Sequence, residues 1–67
     1  MEDDIRKYVG KQIEERRKEL GMTQEQLGVK CGVIRTTINK IENGRYSVSV
    51  DKLAEIARAL DFEIIVK

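Results

Sequence analysis

The side chains able to engage a ligand are concentrated in one stretch of the chain. Between positions 30 and 45 stand Lys30, Arg35, Lys40 and Arg45, with Glu42 the only acid. Four bases against one acid make this stretch +3 in a chain of net charge +1, so the remainder sums to −2. Thr36, Thr37, Asn39 and Asn43 are interleaved with the bases and bring hydroxyl and amide groups that both donate and accept hydrogen bonds. A nearly neutral chain with one basic segment suits a localised anionic partner; the alternative is an ordinary solvated helix face. Other chemistries are poorly supplied. There is no histidine and only one cysteine, Cys31. This excludes histidine general bases, an internal disulfide, and zinc sites built from histidine or from several cysteines. The carboxylate pairs Asp3-Asp4 and Glu14-Glu15 fall at a helix start and on a solvated face. No glycine-rich phosphate loop is present. The reading is not an enzyme, with no metal and no cofactor.

The elements that must position these residues follow from periodicity and punctuation. With 67 residues the chain is expected to be one domain over 1–67. A chain of this size hides roughly 60% of its unfolded surface, which leaves little room for a substrate cavity. The longest apolar run, residues 64–66, is far short of the roughly 20 residues of a membrane span. The start, Met-Glu-Asp-Asp, is acidic where a secretory signal is basic. A free thiol without disulfides fits a cytoplasmic protein.

A helix is expected over 4–20, with Ile5, Val9, Ile13 and Leu20 on one face, Asp3 or Asp4 as cap and Gly21 past its end. Thr23 with Gln26 three residues later spells a capping box that opens a helix over about 24–31, ended by Gly32. A third helix is expected over about 35–43, with Ile38 and Ile41 inward and Asn43-Gly44 at its end. Ser49 caps a fourth over about 50–60, with Val50, Leu53, Ile56, Ala57 and Leu60 apolar at helical spacing. The period then changes. Phe62, Ile64 and Val66 share one face of an extended strand over 62–67, which also contains Ile65. A lone strand has no partner for its backbone, so the expected partner is the same strand of a second copy, antiparallel about a two-fold axis. The alternative is a frayed tail that packs only Phe62.

Residues 24–43 read QEQLGVKCGVIRTTINKIEN. Two short helices crossing at about 90–120° through a short turn need a small residue where the second passes over the first, here Gly28. The turn needs a residue tolerant of positive φ, here Gly32. The positions that glue the pair together must be apolar, and they are Leu27, Cys31, Val33, Ile38 and Ile41. Every constrained position is met, so 24–43 is read as a helix-turn-helix. Cys31 is read as a core filler rather than a redox sensor.

On these residues, together with Gly10-Lys-Gln-Ile13, Arg16-Arg17, Thr23-Gln24 and Leu53…Ile56-Ala57…Ala59-Leu60, the chain resembles the Cro/C1-type helix-turn-helix domains of phage and bacterial repressors, the xenobiotic-response-element family. The resemblance covers about residues 10–64. It implies an all-α, lambda-repressor-like bundle of four or five helices that docks a recognition helix in the major groove of double-stranded DNA. Here that helix would be 35–43. Arg35, Thr36, Asn39 and Lys40 would face base edges, with Arg35 suited to guanine and Asn39 to adenine. Gln24, Thr37, Asn43 and Arg45 match backbone-contacting positions. Tyr46 lies near that track, where its phenol either donates to a phosphate or packs against the fourth helix. Arg17 and Glu42 match a buried ion pair. The chain departs from the family at Gly28, where alanine is usual, and at Ile34, which stands at a cap position it cannot fill. It also departs at Val48 in place of a proline and at Val29 in place of a charge. The implied function is sequence-specific DNA binding by a homodimeric transcriptional regulator, a repressor. The alternative is an antitoxin that represses its own operon, with a toxin protein as a further partner.

Overall fold

The computed structural model describes the backbone of residues 2–66 and the side chains of residues 5–66. It contains helices α1 (Glu2–Glu19), α2 (Gln24–Cys31), α3 (Arg35–Glu42) and α4 (Val50–Leu60). The all-α class and the helix limits agree with the sequence to within two residues. The cap expected from Asp3 or Asp4 rests on side chains outside the described residues. Among the described residues no helix is long and apolar enough to cross a membrane.

Local chemistry explains where the helices begin and end. The Thr23 hydroxyl accepts from the Gln26 amide at 3.0 Å, and the Gln26 side chain accepts from the Thr23 amide at 2.8 Å. Ser49 accepts from the Lys52 amide at 3.1 Å. All four helices stop in the same way. A residue in the left-handed region follows the last turn, and the next amide reaches back five residues to a carbonyl, as in Met22 to Arg17, Val33 to Gly28, Arg45 to Lys40 and Phe62 to Ala57. Three of the left-handed residues are glycines; the fourth is Asp61, at φ 53°. A left-handed non-glycine residue is strained by roughly 1 kcal/mol, part of which glycine gives back through its freer unfolded chain. Asp61→Gly is therefore expected to raise stability by about 0.5 kcal/mol, measurable as a shift of a few degrees in the thermal midpoint; a fall would refute the strain.

The core is Val9, Ile13, Leu27, Cys31, Ile38, Ile41, Ile56 and Leu60, all buried, with α3 and α4 packed against both α1 and α2. Two expectations change. On α1 the inward stripe runs Val9, Ile13, Arg17, while Ile5 and Leu20 stand at the ends of the helix and are exposed. On α4 the buried stripe begins after Val50, which is 80% exposed on the first turn.

The strand expected over 62–67 is absent from the single chain. Among the described residues, 63–66 carry no strand pairing, and Lys67 lies outside them. A strand needs a neighbouring strand to hydrogen-bond with, and among the described residues a side chain takes that place. Gln12 donates to the Ile65 carbonyl at 2.7 Å and accepts from the Ile65 amide at 2.9 Å. Phe62 and Ile64 pack against the core as expected; Ile65 and Val66 are exposed. Arg16 fixes where the tail starts, donating to the carbonyls of Leu60 at 2.9 Å and Asp61 at 3.2 Å.

Candidate nucleic-acid interface

The third helix divides its residues cleanly. Ile38, Ile41 and Glu42 are buried. Arg35, Thr36, Asn39 and Lys40 are exposed, and so are Asn43 and Arg45 beyond its end. Positions 36, 39, 40 and 43 follow the spacing that puts residues on one face of a helix, so four hydrogen-bonding side chains line a single outward stripe. Thr37 is half-buried at its edge. Asn43 donates from its side chain to the Asn39 carbonyl at 2.9 Å and to the Asn39 side-chain oxygen at 3.3 Å. The Asn39 amide is thus held in place by the residue one turn on. Arg45 is located by its own amide, which bonds the Lys40 carbonyl at 2.9 Å and closes the helix end. Ile34 occupies the cap position with no side-chain bond and is 69% exposed, as its chemistry required.

Behind this stripe lies the ion pair. Arg17 Nε donates to Glu42 Oε2 at 2.6 Å and Arg17 Nη2 to Glu42 Oε1 at 3.1 Å, a two-point contact between residues that are 8% and 6% exposed. The third guanidinium nitrogen, Arg17 Nη1, donates to the Met22 carbonyl at 2.7 Å. The hydrogen bonds to Glu42 hold the Arg17 proton more tightly than usual, against the opposing effect of burial. The Gln24 side-chain nitrogen donates to Glu42 Oε1 at 2.9 Å. Gln24 is therefore half-buried on this network rather than standing freely on the outer surface. The network joins the end of α1, the start of α2 and the last turn of α3, and so sets the angle at which the stripe is presented.

The close approach of α1 and α3 depends on Gly10. A Cβ there would lie 2.3 Å from the Ile41 carbonyl oxygen and 2.6 Å from that of Glu42. Gly28 serves the turn similarly, since a Cβ would lie 2.5 Å from the Val33 carbonyl oxygen. The glycine that costs helix propensity at this position lets the turn close tightly. The turn is secured from α4 as well. Lys52 donates to the Cys31 carbonyl at 2.8 Å, placing a cation at the C-terminal end of α2. Burial pushes the Cys31 thiol up from its ordinary value, which suits a core filler.

The structure does not gather all the predicted site residues. Tyr46 lines a pocket of about 130 Å³ together with Ile5, Val9, Leu53 and Val66, while the residue stays 43% exposed. Phe62, Ile64, Ile65 and Val66 lie along α1 and α4, apart from the α3 stripe. Three contributors were not foreseen from sequence: Gln12, the capping role of Arg16, and Lys52. Each bonds a backbone carbonyl more than twenty positions away, and no local pattern announces such a contact.

Comparison with known proteins agrees with this geometry. The helix-turn-helix family model matches residues 13–65. An uncharacterized HTH-type transcriptional regulator of Methanothermobacter thermautotrophicus is 55% identical over 51 residues, covering 76% of this chain and 74% of the relative. The control protein C.BamHI of Bacillus amyloliquefaciens is 36% identical over 61 residues, covering 90% of this chain and 75% of the relative. Among solved structures, the restriction-modification controller protein C.AhdI of Aeromonas hydrophila superposes with a TM-score of 0.83 at 32% identity, covering 92% of this chain and 88% of that one. The chain belongs to the helix-turn-helix family of DNA-binding transcription regulators.

Proposed function

We propose that this chain reads a specific sequence of double-stranded DNA through α3 in the major groove, and that it represses transcription as a homodimer by occluding its site. One observation carries the reading: Arg35, Thr36, Asn39 and Lys40 stand exposed on α3, while the same helix is locked from behind by Ile38, Ile41 and the Glu42 pair. Arg35 takes guanine O6 and N7 in a two-point bond, and Asn39, steadied by Asn43, takes adenine. Lys40 and Thr36 complete the base-reading set. Thr37, Asn43 and Arg45 flank it as phosphate contacts, with Tyr46 beyond them. Gln24 contributes through the start of α2, where free amides favour an anion. The work is binding rather than catalysis, and reading DNA places the protein in the cytoplasm. The homodimer rests on the tail, whose pairing needs are not met within one chain.

The test is selection of binding sites from a randomised DNA pool, with Arg35→Ala in parallel. The expected result is a two-fold symmetric motif with half-sites about 34–36 Å apart. Arg35→Ala should lose about 1–3 kcal/mol of discrimination at one base per half-site and leave the others unchanged. A single unsymmetric half-site would remove the homodimer. No enrichment even at low salt would remove sequence reading altogether.

A further inference from the structure

Among α2, α3 and α4, only α3 begins without a side-chain cap. Thr23 and Ser49 each accept from an amide of the turn they open, whereas Ile34 stands at the same place in α3, at φ −81° and ψ 159°, with no side-chain bond. An aliphatic residue there destabilises a helix relative to serine or threonine. Ile34 does not offset this by packing. It is 69% exposed, and the apolar contact that seals a helix entry falls to its neighbour Val33, which packs against the core that holds Ile38. Its backbone is nevertheless held. The Ile34 carbonyl accepts from the Thr37 amide at 3.0 Å and from the Ile38 amide at 3.2 Å, and the Val33 amide bonds the Gly28 carbonyl at 2.9 Å. A fixed backbone thus presents an aliphatic side chain to solvent, next to Arg35 at the start of α3. The other exposed apolar residue of the helix-turn-helix, Val29, lines a hollow with Leu20 and Met22 of which Ile34 is not part. Followed by the exposed Arg35 and Thr36, Ile34 offers a single apolar spot rather than a patch broad enough for a protein.

We infer that Ile34 packs on the C5-methyl group of one pyrimidine in each half-site, close to the guanine that Arg35 takes. This rests on the reading of α3 as the helix in the major groove and adds an apolar contact to its polar ones. The Ile34 side chain neither donates nor accepts, so it makes no phosphate contact and no hydrogen bond to a base. The apolar group on a base edge in the major groove is the methyl on C5 of thymine, and cytosine carries the same group once it is methylated there. When a helix docks in this groove its N-terminal residues meet the base edges, and Ile34 stands at that end. Consecutive Cα atoms are about 3.8 Å apart and stacked base pairs about 3.4 Å, so neighbouring side chains reach base pairs within about two steps of each other. A serine at this position would hold the helix better and be indifferent to the methyl. Isoleucine weakens the free helix end and buries its exposed surface only when a methyl meets it.

Binding-site selection on the full chain supplies a site, and synthetic duplexes of that site test the contact. In one half-site each thymine in turn is replaced by uracil, which removes the methyl alone, and each cytosine by 5-methylcytosine, which adds it. Wild type is expected to show one position, within about two base pairs of the Arg35 guanine, where the methylated base binds about fourfold more tightly, as burial of one methyl gives. A response to uracil identifies thymine as the source of the methyl; a response to 5-methylcytosine makes binding sensitive to cytosine methylation. Ile34→Ser is expected to bind both forms equally at that position and to keep its preferences elsewhere. Its thermal midpoint should rise by a few degrees, because the new hydroxyl caps α3, so lost methyl discrimination cannot come from unfolding. A selected motif with no methyl-dependent position overturns the contact and leaves groove reading standing, as does methyl dependence that survives in Ile34→Ser. No selected motif at all overturns both.

Discussion

Glu42→Ala is expected to lose about 3–5 kcal/mol of folding stability, because it leaves the Arg17 guanidinium buried without a counter-charge. Domains have only roughly 0.05–0.15 kcal/mol of stability per residue, so the loss approaches the whole of what 67 residues supply. The damage spreads beyond the pair. The Gln24 amide also loses its acceptor on Glu42, so the start of α2 and the last turn of α3 are released together. Replacing both partners with apolar residues of similar volume, Arg17→Met with Glu42→Leu, should recover most of the loss, since no charge is then stranded. Urea denaturation followed by circular dichroism distinguishes the two. A Glu42→Ala variant within 1 kcal/mol of wild type would show that the pair is not the strut described above. The double variant also separates stability from recognition: if the pair positions α3 by geometry, restored folding should coexist with weakened discrimination among DNA sites.

A second large effect is expected at Gly10. Alanine there gains roughly 1 kcal/mol in helix propensity. Its methyl would sit 2.3 Å from one backbone carbonyl oxygen and 2.6 Å from the next, both in the last turn of α3. The nearer carbonyl, of Ile41, is tied down because the Gly44 amide bonds its oxygen at 3.1 Å. Relief requires α1 to lift off α3, which lengthens the Arg17–Glu42 contact and opens the seam around Ile13 and Ile41. We expect a net loss of about 2 kcal/mol, seen as a drop of about 10 °C or more in the thermal midpoint. Lys11→Ala, on the exposed side of the same helix, is the control and should change stability by less than about 0.5 kcal/mol. Equal behaviour of the two variants would mean that the helices can separate at no cost.

Much of the fold was legible because its punctuation is local. Thr23 and Gln26 spell a reciprocal cap within four residues, and Gly21, Gly32 and Gly44 each sit where a helix must turn away. The helix-turn-helix is legible for the same reason, since Gly28, Gly32 and the apolar positions around them are dictated by two crossing helices. What escaped is of another kind. Asp61 turns left-handed without being glycine, because the Schellman bonds to Ala57 and Arg58 impose the conformation on whichever residue stands there. Val50 looks like a core residue by spacing, yet the first turn of α4 overhangs the core. The residues of the tail favour a strand, but a strand is a property of two segments, and among the described residues the side chain of Gln12 is what bonds the Ile65 backbone. Nor does any local pattern announce that the Gln24 amide bonds the Glu42 carboxylate eighteen positions away.

The separation of the two faces of α3 has a consequence for how such a molecule changes over generations. The buried side chains of the helix are Ile38, Ile41 and Glu42, whereas Arg35, Thr36, Asn39 and Lys40 are exposed, with Asn39 bonded by the Asn43 side chain. Vocabulary and grammar are thus carried by different side chains. A lineage can respell the outward residues without passing through an unfolded intermediate. The inner residues do not share that freedom, since each is tied to partners on other helices and must change in company or not at all.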